Sequence, residues 1–215
     1  LHQIDPNDTQ KVNQRNQLRS DIMQVRLALA TVVYEGAKTY EPGSKDNKEK
    51  LEEAAKKFAE YQKKYSRWVG GYYARVNEAR CYQELGDYNK AFDILNEVIN
   101  KKEFEEGFHR VRSAATVLAI QVAESPQVKK YKEALDIFYN WEKNVAKRGE
   151  STDEALAIKY LSGEAALEYA RSLKVDSLES LKERNRYLQL AKDLFTFTTR
   201  FSSEYRRKAR LKLAD

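Results

Sequence analysis
The sequence predicts an all-α protein, a solenoid of antiparallel helix pairs, on three observations. Only 3 Pro and 8 Gly interrupt 215 residues, few breakers for so long a chain. Apolar residues recur at steps of three and four, which aligns them along one face of an α-helix. One frame appears four times: Leu51-x2-Ala54-x3-Phe58, Tyr88-x2-Ala91-x3-Leu95, Tyr131-x2-Ala134-x3-Phe138 and Leu188-x2-Ala191-x3-Phe195. Its alanines stand 37, 43 and 57 residues apart, so the array is divergent, with helices and loops of unequal length. The expectation is a single domain over residues 1–215 with about nine helices, four pairs and the start of a fifth. The odd count and the start at Leu1 read as a piece of a longer protein.

The elements follow in order. Asp5-Pro6 opens the first helix, a capping acid followed by proline where its missing N–H is harmless. Leu18, Ile22, Val25, Leu29 and Val32 then alternate steps of four and three, a heptad-like seam. The apolar run from Val25 to Tyr34 reads as buried, and the helix is expected to run to Pro42-Gly43. Its length suggests that it overhangs its neighbour or pairs with another chain. Lys48–Tyr65 forms the partner helix, with Leu51, Ala54, Phe58, Tyr61 and Tyr65 facing in.

Further on, Phe104 and Phe108 fill a corner, and a helix from about Gly107 to Glu124 carries Val111, Ala115, Leu118 and Val122. Ser125-Pro126 breaks it. Gln127–Lys147 follows, ended by Arg148-Gly149. Ser151-x-x-Glu154 reads as a capping box, in which each side chain satisfies a free N–H. That helix runs to about Leu173. Asp176 or Ser177 caps the next, and a last helix starts near Glu204.

The most informative stretch is Tyr72–Asn100. Tyr72, Val76, Ala79, Tyr82 and Leu85 share one helical face. Gly86 can take the left-handed conformation that ends a helix, Asp87 can cap the next, and Ala91, Ile94, Leu95 and Val98 form a second stripe. Ala79, Tyr82, Gly86-Asp87-Tyr88, Ala91 and Leu95 resemble the tetratricopeptide repeat, in its order of small, Tyr, turn, Ala and large apolar positions. Arg75, Glu78 and Glu103 stand where that family carries Trp, Leu and Pro. The resemblance implies a right-handed α–α superhelix whose first helices line a concave surface. Carried onto this chain, the groove positions are Tyr73, Asn77, Arg80, Gln83 and Glu84: Asn77 for a peptide backbone, Arg80 for a carboxylate, Tyr73 for stacking. A narrower phrase, Ala55-Lys-Lys-Phe58-x2-Tyr61-x-Lys63-Lys64-Tyr65 followed by Ala79-x2-Tyr82-x3-Gly86-Asp87-Tyr88, resembles bacterial Tol-Pal coordinators and outer-membrane assembly lipoproteins. It implies a cell-envelope setting.

Composition narrows the function classes. Hydrophobic residues at 41% suffice for a core, and no apolar run approaches the ~20 residues of a membrane span. The net charge of +6 comes from acids and bases that alternate along the helices, which reads as a solvated mixed-charge surface. The single Cys81 excludes an internal disulfide and reads as a buried thiol. His2 lies near the terminus and His109 at a helix start, so each reads as a solvated or capping imidazole without ligand partners. Glu52-Glu53 and Glu105-Glu106 are adjacent acids, whose side chains diverge on a helix and cannot share a substrate. No phosphate loop, nucleophile elbow or Cys–His couple is present.

The densest basic cluster is Arg206-Arg207-Lys208-x-Arg210-x-Lys212. Its cations spread around the helix with no base-reading motif beside them, so a solvated or partner-facing helix is the better reading than a nucleic-acid site. The sequence therefore points to a non-enzymatic scaffold that binds a protein or peptide, with no metal or cofactor. Homodimerisation through the long first helix and nucleic-acid binding through the last are the alternatives.

Overall fold
The three–four spacing becomes nine α-helices and no strand among the described residues, which in this computed structural model are 8–101, 106–147 and 149–214. They are α1 (Thr9–Ala37), α2 (Lys45–Lys64), α3 (Val69–Leu85), α4 (Tyr88–Ile99), α5 (Glu106–Glu124), α6 (Tyr131–Asn144), α7 (Asp153–Ser172), α8 (Leu178–Thr199) and α9 (Glu204–Ala214). Among the described residues, no helix is long and apolar enough to cross a membrane. All four frame alanines and the large residues Phe58, Leu95, Phe138 and Phe195 are buried on α2, α4, α6 and α8. Asp5-Pro6, Phe104, Glu105 and Arg148 lie outside the described residues. The first described cap is Asp8, whose carboxylate accepts from the Lys11 amide.

The chain divides into two compact units, Leu1–Gly86 and Asp87–Asp215. The boundary falls inside the stretch read as one helical hairpin, so α3 belongs to the first unit and α4 to the second. The local chemistry of that turn is as expected. Gly86 has φ 81° and closes α3, and Asp87 caps α4 by accepting from the Lys90 amide at 3.2 Å.

In the first unit α2 packs against both α1 and α3, and α1 also touches α3. Leu51, Ala54, Ala55, Phe58 and Tyr61 of α2 meet Ala30, Tyr34 and Ala37 of α1 and Ala74 and Cys81 of α3 in one core. Burial pushes the Cys81 thiol up to about 12, so it stays protonated and unreactive. The end of α1 is held by Asn47. Its side-chain amide donates to the Ala37 carbonyl at 2.9 Å, and its oxygen accepts from the Gly43 amide at 3.0 Å. That clamp ends α1 at Ala37, short of Pro42-Gly43. Arg75 and Glu78, both departures from the repeat pattern, satisfy each other: the guanidinium lies 2.6 Å from a carboxylate that is itself buried.

The heptad-like seam corrects an expectation. Val25–Tyr34 is not a buried run: Leu18, Ile22, Val25, Leu29 and Val32 are 42% to 67% exposed. Only Ala30, Tyr34 and Ala37 of α1 are buried. The core takes Ala30, Tyr34 and Ala37 from this helix, with Leu27 and Val33 packed partly against it, and leaves the seam on another face.

In the second unit each helix packs on the next, and α5 contacts α7 and α7 contacts α9 across the helix between them. Trp141 is fully buried and its indole N–H donates to the Ser113 hydroxyl at 2.9 Å, fixing α6 on α5. Two caps differ from or refine the sequence reading. Thr152, not Ser151, caps α7, accepting from the Ala155 amide, so no Ser151–Glu154 box forms. Ser177 caps α8 in a reciprocal box with Ser180. Gly163 permits the closest approach of α7 to α8, since a Cβ there would stand 2.7 Å from the buried Phe195 ring.

Gly163 supplies a stability test. Alanine in mid-helix ordinarily gains about 0.5–1 kcal/mol over glycine, but forcing a methyl against Phe195 costs about 1–3 kcal/mol. The clash should win. Gly163→Ala is expected to lower the urea midpoint of the second unit, and a raised midpoint would show that Phe195 has room to yield.

Candidate functional site
The first unit concentrates its unsatisfied surface chemistry at the corner between α2 and α3. The Trp68 amide donates to the Tyr65 carbonyl, and the Gly71 amide donates to the Trp68 carbonyl at 2.9 Å. A Cβ on Gly71 would stand 2.3 Å from the Tyr65 carbonyl oxygen, so only glycine lets the corner close this tightly. The turn sets Tyr65 and Trp68 beside the first half of α1.

Between them lies a cleft of about 790 Å³, lined by Asn16, Arg19, Ser20, Ile22, Met23 and Arg26 of α1 and by Lys64, Tyr65 and Trp68. A second cleft of about 300 Å³ shares Arg26, Lys64 and Tyr65 and adds Leu29, Ala30, Lys57, Glu60 and Tyr61. The two clefts together carry the cations Arg19, Arg26, Lys57 and Lys64 against the single carboxylate Glu60. Lys57 leans toward Glu53 at 3.6 Å. Among the described residues, Arg19 and Arg26 have no ion-pair partner. The rings of Tyr61 and Tyr65 tilt together at 4.6 Å between centroids, and Trp68 is 61% exposed. An aromatic floor edged by unpaired cations can hold a segment that offers apolar side chains and carboxylates.

The residues singled out from the sequence lie on α3. Tyr73, Asn77 and Gln83 are half-buried, and Arg80 and Glu84 are exposed. None of the five lines either cleft. Glu84 accepts a hydrogen bond from the Tyr34 hydroxyl, which ties α3 to α1. Burial and that carboxylate together push the Tyr34 phenol well above its ordinary value. Sequence reasoning missed Arg19, Met23, Lys64 and Trp68 as site residues. The available signal was Trp68 itself, a large ring two residues before the paired Gly70-Gly71.

Other candidates belong to the second unit. His109 is not solvated: its Nε2 lies 3.2 Å from Glu150 Oε2, with both side chains largely buried. The pairing joins residues far apart in sequence, which local spacing cannot reveal. On α9, Lys212 is committed to Glu164 at 3.1 Å, and Lys208 lies over the Tyr205 ring. The basic cluster is thus divided between internal contacts and solvent. Among the described residues, no group of three His, Cys, Asp or Glu could hold a metal ion. Glu124, at the end of α5, has its carboxyl pushed up to about 8, first by burial and then by Glu164, with Lys212 opposing.

Compared with family models, with characterised proteins and with solved structures, the chain matches none.

Glu124 carries a pH prediction. Unfolded, the carboxyl titrates near 4.5; folded, it keeps its proton to about 8. Between those values the folded state binds more protons, so this group's contribution is present at acid pH and is lost as pH rises through the window. Glu124→Gln removes the titration. The stability difference between wild type and variant should change by on the order of a few kcal/mol from pH 4.5 to 8. A difference that is flat across that range would contradict the assignment.

Proposed function
We propose that the chain is a non-enzymatic protein-docking scaffold of the tetratricopeptide-like kind, which holds an acidic, apolar-faced segment of a partner protein. The observation that carries this reading is the 790 Å³ cleft, with Trp68, Tyr65 and Met23 inside it and Arg19, Arg26 and Lys64 on its walls. Exposed tryptophan in a cleft is a typical energetic anchor of an interface. Arginine without an internal carboxylate offers a bidentate site to one from a partner. The α3 strip of Tyr73, Asn77, Arg80, Gln83 and Glu84 begins one turn beyond the Gly70-Gly71 corner and gives the bound segment a second surface.

The repeat reading has its own support. The frame buries its alanine and its large apolar residue in the same way on four helices, and odd-numbered helices touch across the even one between them within each unit. Stacking of that kind leaves an open face along the array. Lys64 and Tyr65 also belong to the phrase that resembles bacterial envelope proteins, so the proposed setting and the proposed cleft rest on the same residues.

The test uses a labelled helical peptide of about twenty residues, with Leu and Phe on one face and Glu elsewhere, titrated by fluorescence anisotropy. The peptide should bind, and its Lys-for-Glu counterpart should not. Trp68→Ala should weaken binding at least about tenfold, and Arg19→Glu with Lys64→Glu at least as much. Arg80→Glu should weaken it less, and rising salt should weaken all of it. Equal affinity for wild type and Trp68→Ala, or preference for single-stranded oligothymidine over the acidic peptide, would overturn the reading.

A further inference from the structure
Helix α1 carries an exposed apolar seam that the clefts touch at Ile22 and Leu29 but do not cover. Leu18, Ile22, Val25, Leu29 and Val32 are all exposed. The residues that hold α1 to its own unit, Ala30, Tyr34 and Ala37, lie roughly 130° away around the helix at 3.6 residues per turn. The seam therefore points away from the core of its unit. From Thr9 through Leu29 no residue of α1 is buried, and the core of the unit reaches this span at the partly buried Leu27, which leaves about 25 Å of helix ahead of it with little tertiary support. A helix of that length is marginal alone in water. Among the described residues no other helix exposes more than two large apolar side chains.

We propose that the seam pairs with the same helix of a second copy, as a short parallel two-stranded coiled coil that makes the protein a homodimer. The steps of four, three, four and three match the 3.5-residue period at which two helices keep one seam in contact. A helix with this period is complementary to itself. In heptad terms Ile22 and Leu29 are a positions and Leu18, Val25 and Val32 are d positions, with Asp21 at g and Arg26 at e. In a parallel, in-register pair, g faces the e position five residues on in the other helix. Asp21 then opposes Arg26 of the second copy, twice over by symmetry. The antiparallel arrangement centred on Val25 brings the two copies of Arg26 together instead. Charge thus selects the parallel form. Arg15 and Lys11 occupy the next a and d positions toward the N-terminus and Gly36 the next a beyond Val32, so the apolar seam ends at both sides. An interface this short implies dissociation on the order of micromolar.

The seam adjoins the docking clefts, which Ile22, Arg26 and Leu29 also line, but pairing through it does not require that the clefts hold a partner. Sedimentation of the full chain over a concentration series should show a reversible monomer–dimer equilibrium. Leu29→Glu should raise the dissociation constant at least tenfold while helix content by circular dichroism stays the same. Asp21→Arg and Arg26→Asp should each weaken association, and the double exchange should restore it, an outcome that antiparallel pairing does not give. Leu18→Cys should form an intermolecular disulfide under mild oxidation, since Cys81 is buried and parallel pairing places Leu18 against Leu18. A wild-type chain that stays monomeric at all concentrations, a double exchange that fails to restore association, or a Leu18→Cys chain that never cross-links would each overturn the proposal.

Discussion
Helix α1 is gripped only at one end, and the surface of the first unit follows from that grip. Ala30, Tyr34 and Ala37 supply its buried contacts, the Asn47 side chain secures its last carbonyl, and Tyr34 bonds across to Glu84 of α3. These contacts use small residues, one aromatic ring and one polar clamp. Leu27 and Val33 pack partly against the same core, and the five seam residues stay exposed. Met23 reaches into the larger cleft, Ile22 and Leu29 border the clefts from the seam, and Leu18, Val25 and Val32 line neither. A core that took the large residues instead would erase both surfaces.

The cleft depends equally on backbone geometry. The α2–α3 corner brings the Tyr65 carbonyl so near Gly71 that no side chain fits there. Trp68 stands at the cap position of α3 without making a side-chain cap bond, so its ring is free of helix-ending duty. On α3, Arg75 and Glu78 form a mutual pair, with the carboxylate buried beside its guanidinium. A buried charge is tolerable only with such a partner.

Much of the helical architecture was legible because it is periodic and local. The stripes of α2 and α4, the left-handed Gly86 and the Asp87 cap are consequences of spacing and of side-chain chemistry within a few residues. What was not legible is non-local or degenerate. Periodicity shows that α1 has an apolar face but not what covers it, so the Val25–Tyr34 run read as buried. Ser151 and Thr152 are both competent caps, and the backbone path alone decides for Thr152. Asn47 reads as one more polar helix residue until the α1–α2 loop folds over it. His109 finds Glu150, which lies on another segment of the chain. The five α3 positions came from family resemblance, whereas the cleft comes from a corner that no repeat pattern encodes.

The central claim is that α1 has no buried residue before Ala30 and meets the core of its unit ahead of that point through the partly buried Leu27 alone among the described residues. Hydrogen exchange of α1 amides in dilute protein tests it directly, because protection measures local opening. The account predicts rapid exchange from Thr9 to Arg26, slow exchange from Ala30 to Ala37, and growing protection of the first segment as concentration rises. Uniform, concentration-independent protection along all of α1 would contradict it.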